Sequence, residues 1–217
     1  NDDILYTKSE TLGQSLAILY GVAEGERAGR LSQSMPVVDF GAPVFWPWIP
    51  DQPPYHNRAV WPFVQSFWIQ ASAKTGNEAG VLHGISAVWR AAMMYATNKE
   101  NYVANDGNWR GTQVNSSNML WSLSGSLGIT FRTLMGIQYN DPQALTFAPV
   151  VPQTLKAERQ VKGFRYRDAV LDITVKGYGD VISTFAVDGE IRNEPVFSAD
   201  MSGNHTVEIV LADRFRN

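Results

Sequence analysis

The spacing of apolar residues changes once along this 217-residue chain, and the change limits the folds that it can adopt. Up to Leu134 apolar residues recur every three or four positions, which predicts helices, and beyond Gly136 they alternate with polar residues, which predicts strands. Helices followed by strands are typical of an α+β protein. We therefore expect a helical region over residues 1–140 and a strand-rich domain over residues 141–217.

The helical region contains five segments with helical spacing, most of them bounded by capping residues, glycine or proline. The predicted helices run from Ser9 to Gly25, Glu26 to Met35, Val60 to Gly76, Glu78 to Ala96, and from Ser116 or Ser117 to Leu134. The third is apolar over much of its circumference, so we expect it to be buried on most sides. Because five helices make an odd set that does not close, we expect the last hairpins of a larger α/α toroid.

The strand-rich domain shows five or six alternating segments separated by turn signals, among them Gly179-Asp180 and Asp188-Gly189. Regularly spaced short strands of this kind predict a small antiparallel β-sandwich.

Composition excludes several classes of function. A net charge of -3 does not favour a nucleic-acid or anionic-membrane partner, and no apolar run reaches the roughly 20 residues that span a bilayer. Without cysteine there are no disulfides or thiolate metal sites, and His56, His83 and His205 lack the spacing of metal ligands. We expect neither a metal nor a cofactor. The chain opens with Asn1 rather than methionine, which predicts a processed or excised start.

An aromatic and polar stretch leads into the third predicted helix. It brings aromatic rings, an imidazole, an amide and a guanidinium together at Tyr55, His56, Asn57, Arg58 and Trp61. A stiff, proline-rich loop before it carries two further tryptophans, Trp46 and Trp48. Aromatic faces beside hydrogen-bonding side chains are suited to a sugar, and the tryptophans are candidates for a stacking platform.

Cleavage of a glycosidic bond without a metal requires two carboxyl groups. Few carboxylates stand in a suitable setting; Asp51 lies in the aromatic loop, and Glu100 opens the loop between the fourth and fifth helices. On the residues alone, Glu100 after Lys99 also fits a solvated residue at a helix end.

The stretch Tyr55-His56-Asn57-Arg58-Ala59-Val60-Trp61-Pro62 resembles the Tyr-His-Asn-Gly-Gly-x-Trp-Pro motif of six-hairpin (α/α-barrel) glycoside hydrolases. That group includes the plant and cyanobacterial neutral invertases and the glycogen-debranching-type enzymes. Gln113 and the segment Leu120-Trp121-Ser122-Leu123-Ser124-Gly125 are similar to the Gln and the Trp-Ser-x-x-Gly that begin the last barrel helix there. The chain departs from the motif where Arg58-Ala59 replaces the glycine pair, which puts side chains where backbone would approach the sugar.

The resemblance implies that this chain is the C-terminal portion of an inverting glycoside hydrolase. The catalytic base of the invertases lies about twenty residues before the tryptophan, and Trp121 minus Glu100 is twenty-one positions. The general acid then lies in the N-terminal remainder of the barrel, so the chain alone is expected to be inactive. The resemblance also implies a secreted or periplasmic location. Substrate contacts are expected from the residues of the two motifs and the preceding tryptophans, namely Tyr55, His56, Asn57, Arg58, Trp61, Trp46, Trp48, Gln113 and Trp121.

Two other interpretations stay open. A polysaccharide lyase can be built on a helical toroid with a sandwich, with Asn57 or Arg58 neutralising a uronate while Tyr55 or His56 takes the proton. A non-catalytic glycan-binding module would use the aromatic residues and need no carboxylate.

Overall fold

The structure, a computed structural model, describes residues 7–216 of an α+β protein. The chain divides into two compact units, Asn1–Ile129 and Thr130–Asn217. This division lies upstream of the boundary predicted after residue 140, because a strand at Ile137–Asp141 already belongs to a sheet of the second unit. The start at Asn1, which the sequence predicts to be processed, lies outside the described residues.

The first unit contains helices and short strand pairs. In chain order its elements are β1 (Ser9–Glu10), α1 (Thr11–Leu19), α2 (Gly25–Ser34), β2 (Phe45–Trp46), β3 (Ala59–Val60), α3 (Pro62–Lys74), α4 (Glu78–Tyr95), β4 (Tyr102–Val103) and α5 (Leu120–Gly128). The pairs β1 with β2 and β3 with β4 are antiparallel. Each helix overlaps one of the five helical segments expected from the spacing of apolar residues.

Helix α3 is the centre of the first unit. It packs against α1, α2, α4 and α5, and its Val64, Trp68 and Ile69 are at most 3% exposed. The prediction that this helix is buried on most sides is therefore confirmed. Pro62 occupies the first turn, where the missing N–H has no helical partner to lose.

Two predicted helix caps are wrong. Glu10, not Ser9, caps α1, since its carboxylate accepts hydrogen bonds from Leu12 N at 3.1 Å and Gly13 N at 2.5 Å. Helix α5 begins at Leu120 without a side-chain cap, and neither Ser116 nor Ser117 caps it.

The second unit consists mainly of strands. They are β5 (Ile137–Asp141), β6 (Ala144–Phe147), β7 (Arg159–Tyr166), β8 (Ala169–Lys176), β9 (Ile182–Val187), β10 (Glu190–Ile191), β11 (Val196–Ser198) and β12 (Gly203–Leu211). One sheet has the order β10-β9-β12-β8-β7 and the other β11-β6-β5. The expected antiparallel arrangement fails at one pairing, because β12 runs parallel to β8.

Ring contacts join the two sheets of the second unit. Phe147 of β6 lies 5.5 Å from Phe185 of β9, and Phe197 of β11 lies 6.3 Å from Tyr166 of β7, measured between ring centroids. Alternate residues of β8 and β12 are buried, as the period-two pattern predicts. Over residues 7–216, no helix combines the length and the apolar character that crossing a membrane requires.

Candidate functional site

Two loops meet where α3 and α5 begin. One precedes α3 and carries Tyr55 and its neighbours, and the other precedes α5 and carries Glu100. Backbone hydrogen bonds hold them together: β3 pairs with β4, Ala104 N donates to Arg58 O at 2.9 Å, and Gln113 N donates to Pro54 O at 2.8 Å. These backbone contacts hold the loop that carries Tyr55 beside the loop that carries Glu100.

The two loops bring Tyr55 and Glu100 into contact. Tyr55 Oη donates a hydrogen bond to Glu100 Oε1 at 3.1 Å, and Ser116 N donates to Glu100 Oε2 at 2.8 Å. The Glu100 backbone N–H donates in turn to Ser116 O at 3.0 Å. An ionised carboxylate only accepts hydrogen bonds, so the two donors match the deprotonated form, which is the form that a general base requires.

The contact also fixes the state of the phenol. Burial raises the pKa of Tyr55 above its usual value, and the hydrogen bond to Glu100 together with the negative charge of that carboxylate raises it further. The phenol is therefore protonated at neutral pH. It serves as a hydrogen-bond donor to the Glu100 carboxylate.

An aromatic cluster surrounds this contact. His56 stacks on Trp61 with ring centroids 5.2 Å apart, and Trp121 stacks on Phe63 at 4.6 Å. Trp61 links the two pairs, since its ring also contacts Tyr55 and Trp121 at 5.0 and 5.5 Å. Trp121 is 42% exposed, so part of its ring is free to stack on a ligand.

A surface pocket of about 350 Å³ opens beside the cluster. It is lined by Ile49, Gln52, Pro53, Tyr55, His56, Asn57 and Gln113. The four residues expected to hydrogen-bond sugar hydroxyls, Tyr55, His56, Asn57 and Gln113, are all among them. Glu100 is only 6% exposed and is not one of the lining residues, so its connection to the pocket runs through the Tyr55 hydroxyl.

Asn57 has a further role within its own loop. Its Nδ2 donates to Ile49 O and Gln52 O, both at 3.1 Å, and its Oδ1 accepts from Ile49 N at 2.9 Å. Both donors of the amide are thus occupied by backbone. Asn57 holds the loop in shape and has only acceptor capacity left for a ligand.

Trp46, Trp48 and Arg58 form a separate group. The two indole rings meet edge to face at 5.1 Å, and the Arg58 guanidinium carbon lies 4.7 Å from the centre of the Trp48 ring. Within residues 7–216, no ring contact connects these tryptophans with the cluster around Trp61. Trp46, Trp48 and Trp61 were each candidates for a stacking platform, and the structure places the first two in one group and Trp61 in the other.

Sequence reasoning missed three residues that support the site. Ser116 holds Glu100 through its backbone, which no side-chain pattern reveals. Phe63 was not among the predicted site residues, yet its ring stacks on Trp121. Lys99 is 9% exposed, with its Nζ lying 3.7 Å from the centre of the Trp109 ring and donating to Ser117 Oγ at 3.1 Å. Its charge gave no signal of burial, because long charged side chains usually stay in water.

Comparison with known proteins adds no assignment, since no protein-family model matches this sequence and no curated protein matches it. In the part of the chain that the structure describes, no group of three or more His, Asp or Glu side chains could hold a metal ion. Function must therefore be argued from the geometry of the site and from the sequence motifs.

Proposed function

We propose that this chain carries part of the active site of a glycoside hydrolase in which Glu100 is the general base. One observation carries the proposal: Tyr55, which lines the pocket, donates its hydroxyl to the Glu100 carboxylate at 3.1 Å. A carboxylate with two donors thus adjoins a pocket lined by residues that suit a sugar. The aromatic cluster supplies flat apolar surface for the sugar ring.

In this mechanism Glu100 takes a proton from a water molecule whose oxygen bonds to the anomeric carbon. The bond from that carbon to the leaving oxygen breaks, and the general acid protonates the leaving oxygen. Each oxygen of Glu100 accepts one hydrogen bond from the protein and keeps acceptor capacity for the water. For inversion the two carboxyl groups stand roughly 6.5–9.5 Å apart. The acid belongs to a part of the enzyme outside this chain.

Further helices of the same toroid complete the helical unit in this proposal. Helix α5 supports it, because it buries Ser122 and Gly125 while Leu120, Leu123 and Leu127 are 79%, 39% and 47% exposed. A helix at a water-facing surface usually buries its apolar residues and exposes its polar ones, and α5 does the opposite. A covering set of helices would bury the three leucines and bring the general acid.

The proposal is tested by Glu100→Gln in the full-length protein, with oligosaccharide turnover as the readout. We expect kcat to fall at least about a hundredfold, with KM little changed, because the amide cannot accept the proton. Asp51→Asn is the matched control, since Asp51 is an exposed carboxylate of the loop that carries Tyr55. Turnover by the Glu100 variant close to that of the unmodified enzyme would eliminate this residue as the base.

A non-catalytic glycan-binding function is the second candidate, and one observation favours it. Glu100 is buried and does not line the pocket, which a binding module would tolerate. Glycan binding without turnover by the full-length protein would select this function. A lyase that used Tyr55 as its base is disfavoured, because burial and Glu100 raise the pKa of that phenol, while His56 stays open as the base. Products absorbing in the near ultraviolet would reinstate it.

A further inference from the structure

Two segments of the aromatic loop lie side by side because Asn57 binds the backbone of Ile49 twice. Ile49 N donates to Asn57 Oδ1 at 2.9 Å, and Asn57 Nδ2 donates to Ile49 O at 3.1 Å. The residues next to this clamp are Trp48 and Arg58. The clamp therefore accounts for their contact, in which the guanidinium carbon lies 4.7 Å from the centre of the indole ring.

Two N–H donors at this contact lack an acceptor. Trp48 Nε1 and Arg58 Nε are both buried, and neither has a hydrogen-bond partner within residues 7–216. They cannot satisfy each other, because indole and guanidinium groups carry donors only. No carboxylate in the described part of the chain forms an ion pair with Arg58. Buried donors without partners are costly, and two of them at one contact point to an oxygen supplied from outside the described residues.

The backbone of Arg58 gives an independent indication. Its φ of 61° lies in the left-handed region, which glycine adopts without steric cost and arginine does not. Backbone strain of this kind persists where the surrounding contacts hold it in place, and it often marks functional sites. At Arg58 the strained backbone directs the guanidinium over Trp48.

We propose that Trp48 and Arg58 form a subsite for an anionic substituent of the glycan, either a carboxylate or a sulfate ester. This inference rests on the proposed function, because it names the class of sugar that the same loop recognises. The ligand group must offer acceptors and no donors, and it must balance one positive charge. Carboxylate and sulfate do both, and each matches the planar fork of a guanidinium. A neutral hydroxyl offers an acceptor but no charge.

The test is binding of residues 1–217 to a microarray of oligosaccharides spotted in matched pairs. One set pairs uronate-containing oligosaccharides with their carboxyl-reduced forms, and the other pairs sulfated oligosaccharides with their desulfated forms. We expect the unmodified chain to prefer the charged member of at least one pair by roughly tenfold or more, the effect of a charge-assisted hydrogen bond. The set that responds identifies the substituent.

Three variants separate recognition from folding and from general charge effects. Arg58→Gln and Trp48→Phe each remove one unpartnered donor, and both should reduce the preference to near unity. Arg90→Gln is the matched control, because Arg90 also lies over an aromatic ring, Phe40, at 4.0 Å, and its removal changes the net charge equally. It should keep the preference. Arg58→Gly should lose the preference while its melting temperature stays at or above that of the unmodified chain, since the strained backbone conformation suits glycine.

The outcomes distinguish this inference from the proposed function. Equal binding of charged and neutral members overturns the anionic subsite and leaves the glycoside hydrolase proposal standing. A charge preference that persists in Arg58→Gln also overturns the subsite. Failure of the chain to bind any member of any pair overturns the subsite, and turnover by the full-length protein then decides the glycoside hydrolase proposal.

Discussion

The phenol of Tyr55 and the carboxylate of Glu100 are 45 positions apart in the sequence, and their oxygens lie 3.1 Å apart in space. The strand pair β3–β4 forms the base of this contact, since it joins the residues that follow each of the two. Ser116 completes it by giving its backbone N–H to the other carboxylate oxygen. The position of Glu100 therefore depends on backbone contacts as well as on Tyr55. Because the backbone contacts remain when Tyr55 is substituted, the effect of the Tyr55 hydroxyl can be measured separately.

Tyr55→Phe removes the hydroxyl and leaves Glu100 Oε1 without its donor. We expect the free energy of unfolding to fall by about 1–3 kcal/mol, because the carboxylate is buried. In the full-length protein kcat should fall by roughly tenfold, with a smaller change in KM, if the phenol orients the base. Tyr102→Phe is the control, since it removes a buried hydroxyl whose one hydrogen-bond partner within residues 7–216 is Ala87 O, at 3.3 Å. Equal turnover by the two variants would show that the phenol does not assist Glu100.

Gly125→Ala tests the close approach of α5 to the start of α3. A Cβ at position 125 would lie 2.8 Å from Pro62 O and 3.0 Å from the Cα of Phe63, and backbone atoms cannot rotate away as side chains do. We expect a loss of about 1–3 kcal/mol in the free energy of unfolding, measured by urea denaturation.

Gly29→Ala is the matched control, because a Cβ at position 29 of α2 meets no atom within 4 Å. This substitution should raise stability by about 0.5–1 kcal/mol, the usual gain from replacing glycine inside a helix. A stabilising effect at position 125 would contradict the tight contact between α3 and α5.

The sequence predicted the elements better than it predicted their ends. The spacing of apolar residues, with the glycines and prolines between segments, located the five α-helices of the described residues and the change to strands. Burial of one face of a helix or strand requires that spacing. The cap of α1 was missed since Glu10 reaches forward to two N–H groups, a role usually filled by shorter side chains. The parallel pairing of β12 with β8 was missed because alternation specifies which residues face inward and not which strand lies alongside.

The candidate site was predicted as a set of residues but not as a geometry. The motif around Tyr55 indicated the side chains that line the pocket. It could not indicate that Asn57 is occupied by the backbone of Ile49, or that Trp48 pairs with Arg58 and not with Trp61. Those contacts depend on the path of an irregular loop. The spacing of apolar residues, which predicts helices and strands, carries no information about such a path.

The pair formed by His205 and Asp188 should make the stability of the second unit depend on pH. Asp188 Oδ2 lies 2.7 Å from His205 Nδ1, and Ser202 O lies 3.0 Å from Nε2, so both nitrogens face acceptors as the imidazolium requires. The hydrogen bond to Asp188 raises the pKa of His205 above 6.5, and the same bond lowers the pKa of Asp188 below 3.8.

The raised pKa of His205 and the lowered pKa of Asp188 determine how stability changes with pH. The stability that His205 contributes is complete below pH 6.5 and is lost as pH rises through the higher pKa of the folded state. The stability that Asp188 contributes is lost as pH falls below 3.8. Stability from the pair should therefore be greatest near pH 5 and smaller at pH 8, by less than about 1 kcal/mol because the Asp188 side chain is 45% exposed. In urea unfolding, the Asp188→Asn variant should lose this difference in stability between pH 5 and pH 8. The Asp200→Asn variant should keep it. An unchanged pH profile in the Asp188 variant would contradict the pairing.

The outward face of α5 gives a test of the larger helical domain. Leu120→Lys and Leu127→Lys change exposed positions seven residues apart on one face, so each should alter the unfolding free energy of the chain alone by no more than about 0.5 kcal/mol. In the full-length protein, if further helices cover this face, each lysine must leave water, and the cost should rise to about 2 kcal/mol or more. Met93→Lys, at an 81% exposed position of α4, is the matched control, because it adds the same charge to a different helix. Denaturant unfolding of the chain and of the full-length protein measures both values. Equal costs in the two contexts would mean that α5 faces water in the full-length protein as well, and the proposed toroid would then have no helices packed on this face.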